Sequence, residues 1–132
     1  MKTNQWLAGI LLAISVGVPL GALAQPATKL VDGLDDDAIG IMWCSAVLFE
    51  ESYWYEEGDA WSVYYDEVSY ALELMARDIM EAEGWSQERQ DALWETYDGA
   101  AFDLAETEDG TFLDLVGVCE DDFGHLAARP KK

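Results

Sequence analysis

From residue 36 onward, apolar residues recur at three- and four-residue steps, in stretches separated by glycines. This spacing places them on one face of an α-helix, and no stretch alternates strictly as a strand does. The first predicted helix follows Asp35, Asp36 and Asp37, which suit the positive end of a helix dipole, and we expect Gly58 to end it. Its apolar residues form two adjacent rows, which indicates a helix at the centre of the fold. The rows are Ile39, Met42, Trp43, Ala46, Phe49 and Tyr53, and beside them Ile41, Cys44, Leu48 and Tyr55.

Three further amphipathic helices are predicted. The second spans about residues 60–83 after Asp59, and the third spans about 87–106 after Ser86. The fourth starts at Thr111 to Asp114, which resemble a capping box, and ends at Gly124. The pattern therefore predicts an all-α, up-and-down bundle of about four helices. The expected inner faces are Trp61, Tyr64 or Tyr65, Val68, Ala71, Leu72, Met75, Ile79 and Ala82; Leu93, Trp94, Tyr97, Ala101 and Leu104; and Phe112, Leu115, Val116, Cys119 and Phe123.

The first 24 residues follow another pattern. A single side-chain cation, Lys2, precedes an uncharged run from Trp6 to Ala24 that ends in Ala-Leu-Ala. This is the pattern of a secretory signal peptide, so we predict cleavage after Ala24. The alternative is a retained membrane anchor, because a run of this length just spans a bilayer. The predicted organisation is a signal peptide at 1–24, a flexible linker at 25–35, a helical domain at 36–126 and a basic tail at 127–132, in a periplasmic or secreted protein.

Two cysteines, Cys44 and Cys119, are present. In an exported chain an even number of cysteines favours a disulfide, here one that joins the first helix to the last. The closed loop would contribute roughly 4 kcal/mol in the chain-entropy model. The alternatives are a free thiol nucleophile and a zinc site, but a single histidine, His125, and two distant cysteines do not give zinc-site spacing.

The chain is strongly acidic, with 27 acidic and seven basic residues and a net charge of −20. Loss of Lys2 with the signal would make the mature charge −21. Such a surface repels nucleic acid and anionic lipid, so neither is an expected partner, and it attracts basic proteins. The alternative is a solvated surface that serves solubility or a salty habitat. Five tryptophans remain after cleavage, which indicates a packed core rather than a disordered acidic segment.

The sequence carries no recognisable catalytic constellation. One histidine near the C-terminus does not support a Ser-His-Asp set, and no glycine-rich phosphate loop follows a strand. Close carboxylate pairs arise by chance among so many acids, so we predict no enzyme activity and no cofactor. The turn at Asp109-Gly110 lacks the ligand spacing of an EF-hand. A looser calcium site stays open as an alternative; its candidate ligands are Asp103, Glu106, Glu108, Asp109 and Asp114.

The most unusual segment runs from residue 50 to residue 66 and carries six aromatic and six acidic residues. Helical spacing assigns Tyr53, Trp61 and one of Tyr64 and Tyr65 to the core, so at least one other ring should lie exposed beside acids. Aromatic faces with carboxylates suit a cationic guest. The alternative is that these rings only cover the open end of the bundle. The candidate binding residues are Trp54, Tyr55, Glu56, Glu57, Asp59, Trp61 and Tyr65.

These observations favour a small exported, non-enzymatic protein that sequesters or inhibits a basic protein, by analogy with immunity proteins and periplasmic enzyme inhibitors. The adjacent pair Trp43-Cys44 resembles the tryptophan–cysteine motif of small periplasmic acid-stress chaperones, which are also helical and hold one disulfide. That resemblance implies a stress role in which acid loosens the fold, although the cysteines here are spaced further apart. A carrier of a small ligand or of calcium is the third hypothesis. The oligomeric state does not follow from the sequence.

Overall fold

A computed structural model describes residues 30–132, in which four α-helices are followed by a short 3-10 turn. No strand occurs within this range, so the predicted four-helix, all-α fold is confirmed. The predicted signal peptide and residues 25–29 of the predicted linker lie outside the described residues. The helices are α1 (Asp36–Ser52), α2 (Ala60–Ala82), α3 (Gln87–Ala105) and α4 (Thr111–Phe123), and the 3-10 turn is Gly124–Leu126.

Helix α1 is the centre of the bundle, as its two apolar rows predict. Nearly every residue from Ala38 to Leu48 is buried, on all sides of the helix. Helix α1 packs against each of the other three helices and most extensively against α2, whereas α2 and α3 barely touch. The segment before α1 also contacts the bundle, because Leu34 is buried and Val31 packs against the core.

The end of α1 differs from the prediction. The helix ends at Ser52 and not at Gly58, because the Ser52 hydroxyl donates a 2.6 Å hydrogen bond to the Phe49 carbonyl. The backbone N–H groups of Tyr53 and Trp54 then donate to carbonyls three residues earlier, which tightens the chain into a turn. Tyr53 leaves the buried face of the helix and is 69% exposed, so its assignment to the core was wrong.

The buried face of α2 also departs from the expected one. Tyr64 and Tyr65 are both buried, and the face continues in steps of four through Val68, Leu72, Ala76 and Met80. The predicted inner residues Met75 and Ala82 are exposed instead, and Ile79 and Ala71 are only half-buried. Residues four apart form the ridges by which helices pack, and here that ridge lies against α1.

A reciprocal hydrogen-bonded pair fixes the register between α1 and α2. The Ser45 hydroxyl donates to the Ser69 carbonyl, and the Ser69 hydroxyl donates to the Ser45 carbonyl, each at 2.7 Å. Both serines are buried, and each side chain is satisfied by the facing helix. Two small residues at this point let the helix backbones approach closely.

Helix α4 begins differently from the predicted capping box. Gly110, with φ of 83°, is the N-cap residue, and Asp109 accepts a 2.9 Å hydrogen bond from the Thr111 backbone N–H. The left-handed backbone of Gly110 explains the change, since it turns the chain so that Asp109 reaches the first free N–H of the helix. The predicted inner face of α4 is confirmed at Phe112, Leu115, Val116 and Cys119, and Phe123 is half-buried.

The predicted disulfide is confirmed. Cys44 and Cys119 are bonded; their Cα atoms are 5.3 Å apart, and their sequence separation is 75. The bond fixes α4 to the middle of α1 and is compatible with an oxidising compartment. Within residues 30–132, no helix has the length and apolar character needed to cross a membrane.

The disulfide gives a direct test of the fold. A Cys44→Ala/Cys119→Ala variant should lose about 2–4 kcal/mol of unfolding free energy, because the unfolded chain regains the freedom of a long open loop. Chemical denaturation followed by circular dichroism measures this loss. Reductant should lower the stability of the wild type but leave the double variant unchanged; equal stability of the two oxidised proteins would contradict the expectation.

Candidate functional site

A groove of about 460 Å³ lies between the last turn of α1 and the C-terminal half of α3. We call it the α1/α3 groove. It combines four aromatic side chains with three carboxylates, and no basic residue is among those that line it. The lining residues are Phe49, Glu50, Tyr53, Trp54, Asp98, Phe102, Ala105 and Glu106.

The aromatic side chains of the groove are unusually open to solvent. Trp54 is 64% exposed and Phe102 is 51% exposed, and Tyr53 is more exposed than either. Phe49 packs edge-on against Tyr53 at 5.1 Å and against Trp94 at 5.7 Å. The described residues therefore leave three large apolar side chains of one groove exposed, which makes the groove the candidate binding surface.

The carboxylates of the groove repel one another. The pKa of Glu50 is raised to about 7. Burial is the largest cause, followed by a hydrogen bond with Asp98 and by the negative charges of Asp98 and Glu106. The Oδ1 atom of Asp98 is buried and receives no hydrogen bond while both carboxyls are ionised. A proton on Glu50 gives the pair a carboxyl–carboxylate hydrogen bond, which favours the protonated form of Glu50.

The groove follows from helical spacing once the end of α1 is known. Asp98, Phe102 and the C-cap residue Glu106 are four residues apart along one side of α3, outside its core face of Leu93 and Tyr97. The apolar face predicted for α3 does not include this side. The available signal was Phe102, an aromatic residue off the predicted apolar stripe with an acid four residues away in each direction.

The predicted binding residues divide between several places. Trp54 lines the α1/α3 groove, and Glu56 and Glu57 are exposed in the turn between α1 and α2. Asp59 is the N-cap of α2, where its carboxylate accepts a 2.8 Å hydrogen bond from the Trp61 backbone N–H. The other three, Tyr55, Trp61 and Tyr65, belong to a second cluster on the α2 side of α1.

This second cluster, formed by Tyr55, Trp61, Tyr64 and Tyr65, is largely buried; we call it the tyrosine cluster. Tyr55 and Tyr65 stack at 5.8 Å, and Trp61 lies 5.9 Å from Tyr65. The Tyr55 hydroxyl donates to Glu51 at 3.3 Å. The ring contacts and this hydrogen bond make the tyrosine cluster part of the packing between α1 and α2.

A carboxylate and an arginine cover the tyrosine cluster from α4 and the C-terminal tail. The Tyr65 hydroxyl donates to Glu120 at 3.1 Å, and burial followed by the charge of Glu120 raises the pKa of Tyr65. Arg129 forms a 2.8 Å ion pair with Glu120, and its guanidinium lies 5.5 Å from the centre of the Trp61 ring. The chain therefore supplies its own cation to this aromatic and acidic cluster.

The structure does not gather the candidate calcium ligands. Among residues 30–132, no group of three or more His, Cys, Asp or Glu side chains is placed to hold a metal ion. Asp109 instead caps α4, and its hydrogen bonds from Thr111 lower the pKa of the carboxyl. Glu106 lines the α1/α3 groove.

Comparisons with known proteins do not assign the chain to a family. No protein-family model matches it, no curated protein is significantly similar to it, and no solved structure shares its fold at a significant level. The interpretation of the site therefore depends on its own geometry and charge.

The raised pKa of Glu50 predicts a pH-dependent effect on stability. The pKa of this carboxyl is higher in the folded state than in the unfolded state. At a pH between the two pKa values, the folded protein therefore keeps the proton that the unfolded chain loses. Stability then falls as the pH rises from about 4.5 to about 7. Glu50→Gln should therefore stabilise the fold by about 1–2 kcal/mol at pH 8, a value reduced for solvent screening in the open groove, and by much less at pH 4.

Denaturant titrations at pH 4 and pH 8 measure this difference. The matched control is Glu67→Gln, which removes the same charge from an exposed position on α2. If both variants gain equal stability at pH 8, general charge repulsion explains the effect and the local interpretation of Glu50 is wrong.

Proposed function

We propose that this protein is an exported, non-enzymatic binding protein that sequesters a basic protein through the α1/α3 groove. The observation that carries the proposal is the juxtaposition of exposed Tyr53, Trp54 and Phe102 with Glu50, Asp98 and Glu106. Aromatic rings and carboxylates on one surface are complementary to the cationic side chains of a partner.

The overall charge supports the same partner class. A net charge of −20 accelerates the approach of a basic protein and disfavours nucleic acid and anionic membranes. Long-range attraction of this kind is shared by every basic protein, so the groove is the feature that would select one of them. Exposed aromatic residues usually contribute most of the binding free energy at such interfaces.

The predicted export signal supports a partner outside the cytoplasm, and the disulfide is compatible with that location. Exported basic hydrolases and toxins are the corresponding partner class, since an acidic protein of this size can cover a positively charged active site. Inhibition in this form requires no catalytic residue of the protein itself.

Affinity capture from envelope extract of the source organism tests the proposal. At low salt the immobilised protein should retain a defined basic protein and release it at about 0.5 M salt, where charge attraction is strongly screened. Trp54→Ala/Phe102→Ala should reduce capture at least tenfold, because interface aromatics of this kind contribute about 1–2 kcal/mol each or more.

The matched control for capture is Tyr70→Ala, which removes a 60% exposed aromatic residue from α2 outside the groove and should leave capture unchanged. The proposal is wrong if retained proteins are acidic or if both variants capture equally. Equal capture would indicate adsorption to the acidic surface as a whole.

A further inference from the structure

We propose that the α1/α3 groove binds the side chain of one arginine, stacked on Trp54 and Phe102, with its guanidinium on the Glu50–Asp98 pair. This inference rests on the proposed function and deepens it by naming the group of the partner that enters the groove. It also implies that arginine binding and the protonation of Glu50 exclude each other.

The first support is a comparison of the two aromatic and acidic clusters within the protein. In the tyrosine cluster, Arg129 pairs with Glu120 and approaches the Trp61 ring. The α1/α3 groove has the same composition of rings and carboxylates, but its lining residues include no cation. Arg129 in the tyrosine cluster thus indicates that the α1/α3 groove lacks a cation of the same kind.

The second support is the geometry of the groove. Its volume of about 460 Å³ exceeds that of one long side chain, and its lining includes Trp54 from the turn after α1 and Phe102 from α3. A planar guanidinium stacks on aromatic faces and bonds to carboxylates through several N–H groups at once. An ammonium group is more strongly hydrated and lacks the planar fork, so arginine fits this surface better than lysine does.

The third support is the unsatisfied carboxylate. While Glu50 is ionised, the buried Oδ1 atom of Asp98 accepts no hydrogen bond from the described residues, and Glu50 lies beside it. Guanidinium N–H groups can donate to both carboxyls and offset their mutual repulsion. The same cation would favour the ionised form of Glu50 and so displace its proton.

The pH dependence follows from the groups that face Glu50. These are two acids, Asp98 on α3 and Glu106 at its C-cap. Glu51, the next residue on α1, accepts a hydrogen bond from Tyr55 of the tyrosine cluster, and neither Glu51 nor His125 lines the groove. Glu50 is therefore the group in this site expected to gain a proton as the pH falls below 7, and binding should weaken over that range.

Titration of the oxidised protein with short peptides tests this inference. The probes are acetyl-Gly-Arg-Gly-amide, its lysine counterpart and its citrulline counterpart, which keeps the shape of arginine without its charge. Two-dimensional amide and indole NMR spectra report which residues respond. At pH 8 the arginine peptide should bind with a dissociation constant on the order of 1 mM and shift Trp54 and Phe102.

The controls separate charge, shape and site. The citrulline peptide should bind at least tenfold more weakly, and the lysine peptide should also bind more weakly. Between pH 8 and pH 6 the affinity for arginine should fall about tenfold in the wild type. In Glu50→Gln the affinity at pH 8 should be low and nearly constant with pH, whereas Glu67→Gln should behave as the wild type.

Several results would overturn the inference: citrulline or lysine binding as well as arginine, a pH dependence that persists in Glu50→Gln, or shifts spread over the acidic surface. Its failure is distinguishable from failure of the proposed function. If a basic protein is captured through Trp54 and Phe102 but the arginine peptide does not bind, the proposed function stands and the arginine inference is wrong. If the arginine peptide binds but no basic protein is captured, the groove binds arginine and the proposed function is wrong.

Discussion

The burial of α1 on all sides is the constraint on which the rest of this structure depends. A helix with two apolar rows cannot be covered by a single neighbour, so α2, α3 and α4 must each pack against it. The Ser45–Ser69 pair fixes the approach of α2, and the disulfide at Cys44 fixes that of α4. The other three helices do not enclose the last turn of α1 completely. Its uncovered side forms one wall of the α1/α3 groove.

The two aromatic and acidic clusters beside the end of α1 differ in what completes them. In the tyrosine cluster, Glu120 and Arg129 bring opposite charges together, so that the buried carboxylate has a partner. In the groove, Glu50 faces only acids, and its raised pKa records the unfavourable free energy of ionising it there. A site that destabilises its own fold near neutral pH is typical of binding and catalytic sites, where groups are placed for a ligand rather than for stability.

Much of the fold could be predicted because its signals are local. Glycines at positive φ, such as Gly58 and Gly84, separate the helices, and capping side chains start α1, α2 and α3 where the sequence indicated. The end of α1 could not be predicted, because it depends on the Ser52 hydroxyl competing for a helix carbonyl within a continuing apolar pattern. Of the residues that line the candidate groove, Trp54 was among the predicted binding residues, whereas Phe102 comes from a helix whose packing partner only the tertiary structure defines.

The overall charge and the groove act over different distances, and this difference argues for a specific partner. Attraction between exposed charges is screened within about 10 Å at ordinary salt, and a charge of −20 acts on every basic protein alike. A surface that served only solubility would need carboxylates dispersed over it and would gain nothing from exposed Tyr53, Trp54 and Phe102, whose burial by a partner is favourable. In the proposed complex, the rings beside the Glu50–Asp98 pair would add a contact that depends on shape as well as on charge. Such a contact is short-ranged and distinguishes one cationic group from another, which net charge cannot do.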